Sequence, residues 1–308
     1  MIRMVKTHPG SIREVDQYRA AEARIAAIQA EEGKLDLNPV CQTQLLTQGQ
    51  RAERVIAFLH GYTSCPQQFA LLAEEFFKLG YNVYLPRLPY HGLTDRFSSH
   101  LVNITTEALV AFGDEVADIA TGLGEMVTIC GLSGGGTVAM LLYQSRPEVD
   151  LVVAISPFLG PASIPSSLTG LFSRLLSTLP DRFYWWDPIK REKNPLTAYY
   201  AYPGLSTHGL GEMLHLGFAV RKAAEKGLPA GKRILVITNA NDRTVNNHRT
   251  AQLVASWRKL GVNVQTYEFE RALELPHDVI GPHRPDQKID LVYPVLIDLA
   301  TQALKQNR

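Results

Sequence analysis

Val127-Thr128-Ile129-Cys130-Gly131-Leu132-Ser133-Gly134-Gly135-Gly136-Thr137 is an apolar run that stops at a glycine, turns about a serine and continues into Val138-Ala139-Met140-Leu141. The run reads as a buried strand and the continuation as a helix. Ser133 therefore sits at a strand–turn–helix junction in the pattern G-x-S-x-G. A turn this sharp forces the serine into a strained backbone conformation, and side chains at positions 131 and 135 would collide with neighbouring elements. Gly136 lets the following helix pack close. The hydroxyl is left at a helix N-terminus, where the dipole favours a developing negative charge. Ser133 is the candidate nucleophile.

The same rhythm extends in both directions. Val55–Leu59, Asn82–Leu85, Leu151–Ile155, Ile234–Thr238 and Val262–Phe269 are apolar runs, most of them closed by Gly, Pro or Asn. Helical spacing fills the intervals at Gln67–Leu79, Thr105–Leu123, Gly135–Gln144, Asn247–Leu260 and Ile289–Lys305. Strands buried on both faces that alternate with helices predict a mostly parallel α/β sheet flanked by helices. Ligands of such sheets lie at the carboxyl ends of the strands, so chemistry is sought just after each run. Residues 157–230 break the rhythm with Phe158, Phe172, Phe183, Tyr184, Trp185, Trp186, Tyr199, Tyr200 and Tyr202 and no clear strand. They read as a helical cap inserted between two parts of a core, 41–156 and 231–308. Trp185 and Trp186 are its candidate substrate-binding residues, and an exposed cap would offer a surface for a homodimer.

Composition removes several classes of function. The chain has 308 residues, 45% apolar and 20% charged, with 31 basic against 30 acidic side chains. That is enough for a large core. A net charge of +1 makes no electrostatic case for nucleic acid or an anionic membrane. Three scattered cysteines, Cys41, Cys65 and Cys130, argue against a disulfide framework and lack the spacing of a structural zinc site. All three are expected as small buried hydrophobes in a reducing compartment. Arg3 and Lys6 precede no apolar run of signal-peptide length. Residues 12–32 instead suggest a surface helix with Ile12, Val15, Ile25 and Ile28 as its apolar stripe, within an N-terminal extension covering 1–40. No apolar stretch is long enough to span a bilayer. A cytoplasmic protein is expected.

A serine hydroxyl is a weak nucleophile and needs a base held by a third group. Ile234–Thr238 runs into Asn239-Ala240-Asn241-Asp242, and Val262–Phe269 is followed by Leu275-Pro276-His277-Asp278. The chain order Ser133, Asp242, His277 is the order this fold requires. His283 is the nearest competitor, but Pro282 and Pro285 around it suggest a rigid surface turn. His248 falls in a helix, and His208 and His215 in the insertion. Asp278 adjoins the base in sequence and points the wrong way to support it, and Asp187 is a weaker alternative acid. The turn His60-Gly61-Tyr62-Thr63-Ser64 offers the Tyr62 amide, with that of Gly134, as an oxyanion hole. His60 reads as a hydrogen bonder that braces its loop. Pro86-Arg87-Leu88-Pro89-Tyr90-His91-Gly92 reads as a rigid loop beside the site.

The set His60-Gly61-Tyr62, Pro89-Tyr90-His91-Gly92, Gly131-Leu132-Ser133-Gly134-Gly135, Asn241-Asp242 and Pro276-His277 resembles the α/β-hydrolase superfamily over roughly residues 41–305. Within it the chain is similar to the carboxylesterase, monoacylglycerol lipase and lysophospholipase group. The resemblance implies an eight-stranded, mostly parallel sheet, a cap, and acyl transfer to water with no cofactor and no metal. It implies a small-molecule ester as substrate, with a medium or longer acyl chain, and monoacylglycerol or lysophospholipid as examples. Two positions depart from the usual motifs: Tyr90 stands where glycine precedes His-Gly, and Leu132 where histidine often precedes the serine. The triad by itself does not separate ester hydrolysis from thioester hydrolysis, acyl transfer or carbon–carbon hydrolysis. A ligand receptor keeping this fold without turnover is the non-enzymatic alternative.

Overall fold

The computed structural model describes residues 9–164 and 168–305, so Arg3 and Lys6 lie outside the described residues. The strands are β1 (Gln44–Leu46), β2 (Ala52–Leu59), β3 (Asn82–Leu85), β4 (Gly124–Leu132), β5 (Val149–Ile155), β6 (Phe183–Trp185), β7 (Gly204–Ser206), β8 (Ile234–Asn239) and β9 (Val264–Phe269). The helices are α1 (Pro9–Glu32), α2 (Ala70–Lys78), α3 (Thr106–Leu123), α4 (Gly134–Ser145), α5 (Thr169–Thr178), α6 (Thr207–Lys226), α7 (Asn247–Lys259) and α8 (Ile289–Lys305).

Seven strands form the main sheet in the order β1-β3-β2-β4-β5-β8-β9. Every neighbouring pair is parallel except β1 with β3. The eight strands implied by the resemblance are thus seven among the described residues. The pleat divides β2 between two cores: Val55, Ala57 and Leu59 pack with α3, α4 and α6, and Ile56 and Phe58 pack with α2 and α8. Burial on both faces is why these runs are continuously apolar. Among the described residues no helix is long and apolar enough to cross a membrane.

Three expectations are corrected. First, the segment between β5 and β8 is not wholly helical, because β6 and β7 pair antiparallel as a small ribbon. Its strands are too short for period-two alternation to register in sequence. The helix α6 is also built into the core: Met213, Leu214, Leu216 and Val220 are buried with residues of α3 and α4. Second, the sulfurs of Cys41 and Cys65 are joined as a disulfide, and Cys130 is free and buried. This pairing removes the cysteine argument for a reducing, cytoplasmic setting. Third, α1 docks through Tyr18, Ala21, Ile25 and Ile28, whereas Val15 is exposed. Its partner is α3, where Gly122 leaves room for Ala21.

Candidate active site

Ser133 caps α4 with φ 54° and ψ −115°, a conformation strained for a residue with a side chain. Its backbone is fully engaged. The amide donates to the Ile155 carbonyl at 2.9 Å, and its carbonyl accepts from Thr137 and Phe158 at 3.0 Å each. A Cβ at Gly135 would run into the carbonyl oxygens of Leu59 and His60, and one at Gly131 into the backbone of Gly135. Both glycines are therefore required by contact with main chain, which cannot swing aside as a side chain can.

Asp242 lies in the loop after β8 and His277 in the loop after β9. Asn239 joins the two loops, its side-chain amide donating to the carbonyls of Leu275 and Pro276 at 3.0 Å each. Asn241 adds a bond to Leu275 at 3.1 Å. His277 Nδ1 donates to Asp242 Oδ2 at 2.7 Å, which leaves Nε2 as the basic nitrogen. Asp242 Oδ1 accepts from the Thr244 and Val245 amides at 2.8 and 3.1 Å. Burial alone would raise this carboxyl, but the His277 bond and charge together with the two amides outweigh it and hold the group below its usual range. An ionised carboxylate is what an orienting acid needs to be.

Beside Ser133 the Tyr62 amide nitrogen lies 3.2 Å from the place a Cβ on Gly134 would occupy. The two backbones thus approach each other beside Ser133. The preceding His60 is fully buried, its Nδ1 donating to the Gly61 carbonyl and its Nε2 accepting from the Leu88 amide, both at 3.0 Å. His91 repeats the arrangement: Nδ1 donates to the Pro89 carbonyl at 2.8 Å, and Nε2 accepts from the Thr63 amide at 3.3 Å. Burial pushes His91 down to about 4 and His60 lower than an ordinary imidazole, which suits rings that must stay neutral to accept. Tyr90 has φ 66°, so the local backbone is the one glycine favours even though a tyrosine occupies it. Its ring packs edge-on against His100.

The remaining candidates are spent elsewhere. Asp278 accepts from the Gly281 amide, His283 contacts Gln67 and the rings of Tyr199 and Tyr200, and His248 meets Gln252. His208 bonds the Leu179 carbonyl and His215 bonds Glu212. Asp187 closes a turn on the Ile189 and Lys190 amides.

Ser133, His277 and Tyr62 line one cavity of about 650 Å³. Its lining combines apolar Leu132, Phe158, Trp186 and Leu210 with polar Asn194, Asn241, Arg243, Arg284 and Asp286. Trp186 is on the wall. Trp185, one residue earlier, points instead to Phe97 and Phe183, with the Arg191 guanidinium over its ring, so its expected place in the substrate pocket is not where the structure puts it. Other cavities, of about 330 Å³ beside Tyr143 and about 660 Å³ between α7 and β9, contain none of these groups. Among the described residues no group of three or more His, Cys, Asp or Glu side chains is arranged to hold a metal ion.

A mostly parallel sheet with a strained serine on the β4–α4 turn, and an Asp–His pair on later strand ends, defines an α/β hydrolase. Residues 50–271 match the Hydrolase_4 family, described as serine aminopeptidase, S33, and the chain belongs to that family. It is also similar to a thermostable monoacylglycerol lipase from a Bacillus species, 31% identical over 121 residues. That match takes in 37% of this chain and 45% of the relative, so the chain spans under half the length of this curated relative. Among solved structures, that of the metagenome-derived lipolytic enzymes LipS and LipT superposes with a TM-score of 0.64 at 20% identity, covering 86% of this chain and 99% of that one. A soluble variant of monoglyceride lipase from Saccharomyces cerevisiae gives 0.64 at 13% identity, with 86% and 90% covered. A monoacylglycerol lipase from Paleococcus ferrophilus gives 0.61 at 17%, with 85% and 98% covered. At these identities the structures speak for the fold alone.

Proposed function

We propose that this chain is a serine hydrolase of carboxylic esters carrying medium or longer acyl chains, working through an acyl-enzyme on Ser133. The observation that carries the reading is the His277–Asp242 bond on the same cavity as the strained Ser133. His277 Nε2 takes the proton of the Ser133 hydroxyl as its oxygen attacks the ester carbonyl. Asp242 keeps Nδ1 protonated and stabilises the imidazolium. The carbonyl oxygen becomes an oxyanion facing the Tyr62 and Gly134 amides. As the tetrahedral intermediate collapses, His277 returns the proton to the departing alcohol. Water, deprotonated by His277, then attacks the acyl-serine, and collapse frees the acid and restores Ser133.

The cavity volume falls within the range of about 300–1,000 Å³ usual for small-molecule sites. Its apolar lining residues suit an acyl chain and its polar ones the alcohol. Residues of the β5–β8 insertion such as Trp186 supply part of that wall, in the manner of a cap. The Bacillus relative makes monoacylglycerol the first natural substrate to try. The deciding experiment is hydrolysis of p-nitrophenyl esters over a series of acyl lengths, with Ser133→Ala in parallel and an aminoacyl p-nitroanilide as the peptidase control. Hydrolysis that falls about 10⁴-fold or more in Ser133→Ala supports the reading. Full activity in Ser133→Ala, or cleavage of the anilide and not the esters, overturns it.

A further inference from the structure

Four residues, Gly61 to Ser64, make a tight turn in which the Ser64 amide donates to the Gly61 carbonyl at 3.0 Å. Thr63 takes the third position with φ 73°. A turn with a left-handed third residue ordinarily requires glycine there, and a β-branched residue is the least suited of all. Thr63 is nevertheless buried, and all three of its polar atoms have partners. Its amide donates to His91 Nε2 at 3.3 Å, its carbonyl accepts from the Tyr202 amide at 2.8 Å, and its hydroxyl accepts from Trp186 Nε1 at 3.3 Å. Two of those partners, Tyr202 and Trp186, belong to the insertion between β5 and β8.

We propose that Thr63 is a positioning residue for the oxyanion site and that Trp186 acts on that site through the Thr63 hydroxyl. The inference rests on the esterase reading above. The Gly61–Tyr62 peptide carries both the carbonyl that closes the turn and the Tyr62 N–H aimed beside Gly134. If Thr63 relaxes to negative φ, the Tyr62–Thr63 peptide turns over and the closing bond is strained, and the Tyr62 amide loses its fixed direction. Local strain of this kind persists only where the surroundings over-determine it. Here His91 and Tyr202 hold the backbone from two sides, and the Trp186 indole holds the side chain. Trp186 also forms cavity wall. The surface that takes the acyl chain and the donor that meets the oxyanion are therefore joined by one hydrogen bond. A chain packed on the indole favours the rotamer in which Nε1–H reaches Thr63.

The test is a double-mutant cycle of Thr63→Val, which keeps the shape and loses the hydroxyl, with Trp186→Phe, which keeps a ring and loses the N–H. Thr63→Ser serves as rescue and Ser133→Ala as control. For a p-nitrophenyl ester each single variant should lower kcat about tenfold, since a small misplacement of a catalytic group costs this much or more. The double variant should be no slower than the worse single one, because both remove the same bond. KM in Thr63→Val should stay within about twofold, as expected for an interaction made only in the transition state. Affinity for a trifluoromethyl ketone, whose serine adduct carries the oxyanion, should weaken by the same factor as kcat. Thr63→Ser should restore kcat. Wild-type kcat in Thr63→Val, losses that multiply in the double variant, or a Thr63→Ser as slow as Thr63→Val would each overturn the proposal while Ser133→Ala stays inactive. Activity surviving in Ser133→Ala would take the esterase reading and this inference down together.

Discussion

The sheet and the insertion between β5 and β8 spend their apolar residues in opposite ways. In β5 every residue from Val149 to Ile155 is buried, and all of β3 is too. In the insertion Leu168, Leu171, Leu175 and Leu179 follow one stripe along α5 and all face solvent, as do Tyr184, Trp186 and Ile189. A strand in the middle of a sheet has neighbours on every side, so each of its residues answers to packing. Within the insertion α5 packs through Phe172 and Leu176, with α6 as its main neighbour, and turns its leucine stripe outward. The same residue types therefore mean stability in one region and exposed surface in the other, where Trp186 alone of these also lines the cavity.

The largest effect that would sharpen this contrast comes from the site the sheet carries. Asp242→Asn should lower kcat about 10⁴-fold, as expected when the base loses its tautomer and charge stabilisation. The thermal unfolding temperature should fall modestly, because the amide can still accept from Thr244 and Val245 but the charge that His277 stabilises is gone. Within the sheet, Ile129→Ala should cost about 3 kcal/mol, read from urea unfolding, since Ile129 is fully buried. Next comes pH. An unfolded imidazole takes its proton near 6.5, but buried His91 refuses one until about 4. Between those values the unfolded state binds more protons, so stability should fall as pH is lowered, by up to about 3 kcal/mol from this ring. His60 acts in the same direction, and Asp242 adds its own loss only as pH falls below the ordinary carboxylate range. Melting temperature measured from pH 7 to 4 should therefore drop, and His91→Gln should flatten the slope. The smallest change belongs to the insertion: Leu171→Ser should leave unfolding within about 0.5 kcal/mol, as for exposed sites generally. A loss comparable to that of Ile129→Ala would show that something covers α5 and would break the comparison.

Where sequence and structure agree, the signal was local and repeated. The runs at 55–59, 82–85, 127–130, 151–155 and 234–238 each lie inside or coincide with an observed strand. Ser133, Asp242 and His277 follow three of the strands, which is why chain order alone could bring them together. What escaped depends on short elements or distant partners. Trp185 and Trp186 are indistinguishable in sequence, and only the β6–β7 ribbon, which ends at Trp185, separates them. Cys41 and Cys65 meet only because the segment before β1 folds against the loop after β2, and an odd cysteine count argued the other way. Asn239 and Asn241 were visible as a polar cluster around Asp242. Their role in tying the His277 loop depends on partners in a later loop, Leu275 and Pro276. Thr63 carries no motif at all, and its strain is a property of the turn.

The family match begins at residue 50, yet the physical unit that shapes the site begins earlier. Glu32, buried at the end of α1, accepts from the Thr43 amide and hydroxyl and from Arg87 Nε at 2.7 to 2.9 Å. Arg87 in turn donates to the His91 carbonyl at 2.9 Å, and the Asn38 amide donates to Gly92, also at 2.9 Å. The loop that supplies His91 to Thr63 is thus clamped from the N-terminal segment. For anyone engineering this scaffold, a chain trimmed to its family boundaries would lose the clamp on the loop that braces the Gly61–Ser64 turn. Swaps between relatives would have to carry α1 and the 86–93 loop as one exchangeable piece.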